Sequence, residues 1–123
     1  MGSSTYDYGS GIVSGFSNYG KNTVDIFAPG SSIYSTYPEN TYSFAQGTSM
    51  ASPLVAGVAA LVWSQYPKLK AAQLKEVLMA SGLPINKEVS MSDDSVLPFK
   101  NLSKSGTLVN AYNALIMASK VSK

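Results

Sequence analysis

The chain has 123 residues, 45% of them hydrophobic and 13% charged, with a formal net charge of +2 and neither cysteine nor histidine. That size and apolar content suit one packed domain, or a large piece of one, and exclude a disordered chain. Disulfides, thiolate zinc and the common transition-metal sites are excluded as well, which leaves open only oxygen-ligand cations such as calcium.

The charge is uneven. Up to residue 65, Lys21 stands against Asp7, Asp25 and Glu39, whereas beyond it eight lysines face four acids. The lysines form no cluster interleaved with aromatics, so the pattern reads as a solvated face and not a nucleic-acid surface. The N-terminal residues lack the apolar stretch of a signal peptide, and no apolar run approaches the roughly 20 residues of a membrane span. The low overall charge suggests that much of the surface faces other protein.

Short β-type runs alternate with turn signals through the first third: Ile12-Val13, Val24 to Ala28, Ser32 to Tyr37 and Thr41 to Ala45. Pro29-Gly30 closes the second run, and Pro38-Glu39-Asn40 makes a hairpin of the last two. Val24 to Ala28 is nearly all apolar, as suits a strand buried on both faces of a parallel sheet. A helix is predicted from Ser49 to about Gln65, with Pro53 in its first turn and Tyr66-Pro67 at its end. Gly57, beside Ala56, Ala59 and Ala60, predicts close packing on a neighbouring element.

A second helix is predicted over Ala71 to Ser81, with Leu74, Val77 and Leu78 on one face and Gly82 and Pro84 as stop signals. Residues 83–105 read as a long polar loop. A third helix runs from Asn110 to about Ser119, with Tyr112, Leu115 and Ile116 as its packing face. The eight tyrosines read as half-buried packing within short strands, in preference to a peptide-binding surface. Asp93-Asp94 reads as part of a solvated loop in preference to a calcium site, because no alternating Asp/Asn run accompanies it. Gly9-Ser10-Gly11 is too short to argue for phosphate binding.

The chemistry concentrates at Gly47-Thr48-Ser49-Met50-Ala51-Ser52-Pro53, where a strand gives way to an apolar helix. A serine on such a turn points its hydroxyl outward while backbone N–H groups at the helix start face the same spot, as a nucleophile and its oxyanion hole require. The local pattern equally fits a serine that caps an ordinary helix. No histidine is present to activate the hydroxyl, and neither a Ser-x-x-Lys string nor a histidine after the serine offers a substitute.

Taken whole, the string Gly47 to Gly57 resembles the nucleophile motif of the subtilisin-like serine proteases. Phe16 to Gly20, Val24 to Gly30 and Ile33 to Thr36 follow that family's order upstream. Ala71 to Ser81 and Gly106 to Leu115 resemble its closing helices, so the likeness covers nearly the whole chain. One departure is Leu54, where many members carry a histidine that is not the catalytic base.

The resemblance implies an α/β fold: part of a three-layer subtilisin-like sandwich, with a parallel sheet, a β-hairpin before the nucleophile helix and C-terminal helices. It implies that Ser49 Oγ attacks the scissile carbonyl of a polypeptide substrate while the Ser49 N–H donates to the oxyanion. The Thr48 hydroxyl assists, and Gly47 lines the cleft. Asp25 matches a position near a weak cation site in some relatives, although a turn-capping acid is the preferred reading.

The family's aspartate, histidine and oxyanion asparagine precede the serine, and none of them maps here; Asn18 and Asn40 sit in turn-like strings. The chain is therefore expected to be the C-terminal part of a catalytic domain, opening inside a sheet strand near Met1-Gly2-Ser3-Ser4 and inactive by itself. No cofactor is expected in this chain, and calcium is left open for the parent protein. A secreted or cell-envelope location is implied by the resemblance alone. The rival expectations are a non-catalytic interaction fragment that self-associates through exposed strand edges, and a split protease completed by its missing N-terminal half.

Overall fold

A computed structural model describes all residues, 1–123. Its centre is a four-stranded sheet built from β1 (Gly2–Ser4), β2 (Phe27–Pro29), β8 (Thr107–Leu108) and β5 (Leu83–Pro84), in that order. The first three run parallel and β5 is antiparallel to β8. β3 (Ile33–Tyr37) and β4 (Thr41–Ala45) form the expected hairpin, turning through Glu39 and Asn40, both at positive φ. They lead into α1 (Thr48–Gln65), followed by α2 (Ala71–Ser81) and, near the C-terminus, α3 (Ala111–Val121). No helix is long and apolar enough to cross a membrane.

Two apolar clusters hold this arrangement. Phe27 of β2 packs against Phe99, with ring centroids 4.9 Å apart, in a cluster that includes Ile12, Val24, Val89, Leu102 and Leu108. The second cluster ties the helices together through Val62 of α1, Leu74, Val77 and Leu78 of α2, and Ala114 and Ala118 of α3. α1 also packs against β1 and β2, which fixes its first turn over the ends of those strands.

The α2 face and boundaries agree with the apolar periodicity, and the Lys70 N–H at its start donates to Gln73 Oε1 at 2.9 Å. For α3 the start shifts by one residue, because Asn110 caps the helix by accepting from the Asn113 N–H, and the end extends to Val121. Its packing face differs in part from expectation. Leu115 packs partly buried on the helix cluster as expected, but the fully buried residues are Ala114 and Ala118, whereas Tyr112 and Ile116 are exposed.

Residues 83–105 are not one polar loop. They contain β5, an antiparallel hairpin of β6 (Glu88–Ser90) and β7 (Val96–Pro98), and a short 3₁₀ turn, Phe99–Asn101. Val89, Met91, Phe99 and Leu102 are buried in the sheet cluster, spaced too irregularly among serines and acids to show a period. Asp93 and Asp94 lie in the exposed turn of this hairpin, where the Asp93 carboxylate accepts from the N–H and hydroxyl of Ser95. Those bonds hold its carboxyl below the ordinary value of 3.8. A depressed carboxyl stabilises the fold above its unfolded value and loses that contribution as pH falls through the folded one. Acid titration of thermal stability is therefore expected to show a component below pH 3.8 that Asp93→Asn removes.

Three further expectations change. Ile12-Val13 is no strand: Val13 makes a single antiparallel bridge to Ser4, while the Ser14 N–H donates to the Ser3 carbonyl and the Ser3 N–H to Ser17 Oγ. This segment covers the outer edge of β1, so the open edge expected of an incomplete sheet is occupied at Ser3. Val24 to Ala28 narrows to β2, because the Val24 and Asp25 carbonyls accept from Lys104 and Ser105 instead of joining the ladder. Of the eight tyrosines, all but Tyr66 are exposed. Tyr34 stacks on Tyr42 and meets Phe44 on the outer face of the β3–β4 hairpin.

Candidate active site

The turn between β4 and α1 rests on two glycines. Gly47 is the helix N-cap residue, at φ 150°, a region that favours glycine, and its carbonyl accepts from the Met50 N–H at 3.0 Å. Its own N–H donates at 2.8 Å to the carbonyl of Gly30, at the end of β2, and the Gly30 N–H donates at 3.1 Å to Ser4. A Cβ on Gly30 would lie 2.6 Å from the Gly47 carbonyl oxygen and against Ser3 Oγ. The elbow therefore sits directly on the sheet, and fully buried Ala51 pins the next turn.

This geometry removes one local reading of Ser49, that of a helix cap. Because Gly47 is the N-cap, Ser49 lies inside the first turn and its side chain caps nothing. The residue is exposed. The N–H groups of Thr48 and Ser49 have no acceptor within the helix, and no acid in the first turn competes for them. Together with the positive end of the helix dipole they make the start of α1 favourable to negative charge.

Pro53 lies one turn further into the helix than expected. The carbonyl four residues before it is that of Ser49, which Pro53 leaves without its helical donor and crowds with its ring. Thr48 is held from outside: Asn18 Nδ2 donates to Thr48 Oγ1 at 3.1 Å. On the other side, the inner face of the β3–β4 hairpin and the start of α1 enclose a cavity of about 180 Å³ lined by Ile33, Tyr37, Ala45, Ser49, Met50 and Pro53, among others.

Gly47, Thr48 and Ser49 are consecutive at the elbow, as the N-cap and the first two residues of α1. The sequence contains no histidine to act as base. Asp25 lies apart, paired with Lys75 Nζ at 3.0 Å, a surface contact worth at most about 1 kcal/mol. Asn18 and Gly30 are the site residues that sequence reasoning missed. Asn18 read only as a turn residue and Gly30 only as a strand stop, since neither partnership exists before folding.

A solvent-facing serine at a glycine elbow joins the strands to an apolar helix, in an α/β fold built around a parallel sheet. The sequence profile of the subtilase family matches residues 3–112, and the chain belongs to that family. It is 53% identical to subtilisin DY of Bacillus licheniformis over 66 residues, covering 54% of this chain and 24% of that protein. It is 40% identical to subtilisin-like protease 2 of Plasmodium falciparum over 105 residues, covering 85% of this chain and 7% of that one. A solved structure of a cold-adapted subtilisin-like serine proteinase superposes with a TM-score of 0.63 at 37% identity, over 84% of this chain and 34% of that chain. The chain thus spans a quarter or less of those two relatives, and its fold is a subtilisin-like α/β fold.

Proposed function

We infer that this chain is the nucleophile-bearing part of a serine endopeptidase, hydrolysing peptide bonds through an acyl-enzyme on Ser49. The observation that carries the reading is the exposed Ser49 in the first turn of α1, on a glycine-supported elbow whose leading N–H groups have no helical acceptor, in a chain of the subtilase family. Ser49 Oγ adds to the substrate carbonyl, its proton passing to a histidine held by an aspartate, both supplied from upstream sequence. The tetrahedral oxyanion takes hydrogen bonds from the Ser49 N–H and the Thr48 hydroxyl, and Gly47 leaves room for the substrate backbone. A secreted or cell-envelope location belongs to the same reading.

Alone, the chain has no base, and an unassisted serine hydroxyl is a weak nucleophile. Casein hydrolysis by three samples tests this: the full-length protein, residues 1–123 alone, and residues 1–123 mixed with the upstream part. Activity is expected from the first and third. Turnover by the isolated chain would sink its predicted idleness, and an inert full-length protein would sink the protease reading.

One observation favours a pairing role for the isolated chain. α1 has 18 residues, yet only Ala51 and Val62 are buried. Leu54, Leu61 and Trp63 are exposed, and Gly57, expected to be packed, has open space around it. A helix that is apolar on all sides is normally buried. Self-association of the isolated chain through α1 is expected by light scattering, reversed by the upstream part. A stable monomer at high concentration would contradict it.

A further inference from the structure

Asn18 is exposed, 30 residues from Thr48 in sequence, and its side-chain amide donates to the Thr48 hydroxyl oxygen at 3.1 Å. Its backbone is tethered to the sheet by serines. Ser17 Oγ accepts from the Ser3 N–H and donates to the Asn18 carbonyl, both at 2.8 Å. Ser14 Oγ bonds Ser3 Oγ at 2.8 Å and Ser31 Oγ at 2.7 Å. The segment carrying Asn18 is thus fixed to β1 and to the residue after Gly30, the same frame that supports the elbow.

A hydroxyl oxygen that accepts from an amide keeps one hydrogen to donate, and the amide nitrogen cannot take it. A threonine side chain within a helix divides between two rotamers, because its hydroxyl ordinarily bonds a carbonyl three or four residues earlier. As the first residue of α1, Thr48 has no such helical carbonyl behind it, so the bond from Asn18 selects its rotamer. We propose that Asn18 is a positioning residue: it holds Thr48 Oγ1 as an acceptor so that the hydroxyl proton is presented to the oxyanion formed at Ser49.

This proposal rests on Ser49 being the nucleophile. Asn18→Asp tests it in the full-length protein, because the isosteric carboxylate accepts instead of donating and draws the Thr48 proton away. The expected result is a fall in kcat of about tenfold with KM unchanged, a fraction of the loss that follows removal of a principal oxyanion donor. Asn18→Ala should cost less, since it frees the hydroxyl without capturing its proton. In a Thr48→Val background both substitutions should leave kcat unchanged, the signature of a coupled pair.

An equal further loss from Asn18→Asp in that background would overturn the proposal, because the carboxylate would then act by its charge or by displacing the loop. So would an unchanged kcat in Asn18→Asp with Thr48 intact. A Ser49→Ala variant in the same series separates the two levels. Residual full activity there refutes the nucleophile, whereas a dead Ser49→Ala with non-coupled Asn18 and Thr48 refutes the positioning alone.

Discussion

Replacing Ser49 with alanine in the full-length protein is expected to lower kcat by about 10⁶-fold, the scale on which loss of the triad serine disables a subtilisin. At 1.36 kcal/mol per factor of ten, this is about 8 kcal/mol of transition-state stabilisation. The residual rate should still exceed that in water, because the oxyanion donors and the substrate contacts remain. Stability should change by no more than about 0.5 kcal/mol, since Ser49 is exposed and caps no helix. Single-turnover kinetics on an ester substrate beside a calorimetric melt checks both. A large fall in Tm would mean that Ser49 has a structural role, and a kcat loss below a hundredfold would mean that it is not the nucleophile.

The second large effect belongs to Gly30. A methyl group there would lie 2.6 Å from the Gly47 carbonyl oxygen and against Ser3 Oγ. Neither neighbour can step aside cheaply. The Gly47 carbonyl accepts the first bond of α1, and Ser3 is buried in the serine network. Gly30→Ala is expected to destabilise the protein by about 2–3 kcal/mol, the upper range for forcing volume into a packed site. It should lower kcat as well, because relief of the clash lifts the elbow off the sheet. Gly15→Ala is the matched control: nothing lies within 4 Å of its added methyl group. Equal stabilities for the two variants would contradict the close contact of elbow and sheet.

What could be read from the sequence was local. The hairpin, the α2 face and the serine at the strand-to-helix junction each depend on residues within a few positions of one another. Residues 83–105 hid their contribution because Val89, Met91, Phe99 and Leu102 become a cluster only against Phe27 and Ile12. The packing face of α3 was legible at Leu115 but not at its centre, where the small Ala114 and Ala118 are buried and Ile116 is not. Gly57 is a different case. The small residues of α1 ask for a close neighbour that residues 1–123 do not supply, as expected if the upstream part covers that face.

At the site, Gly47, Thr48 and Ser49 were legible because the motif is continuous. Their supports were not. Gly30 and Asn18 reach the elbow across 17 and 30 residues of chain, by a backbone hydrogen bond and a side-chain amide. Neither leaves a periodic or spacing signal, and both depend on the parallel pairing of β1 with β2.

On the proposed reading, Ser49 is a nucleophile made competent by groups outside residues 1–123. The most direct test is reaction with a fluorophosphonate, followed by peptide mapping, of the full-length protein and of residues 1–123. The expected result is one stoichiometric adduct on Ser49 in the full-length protein and none on the isolated chain. An adduct on another residue, or equal labelling of Ser49 in both samples, would contradict it.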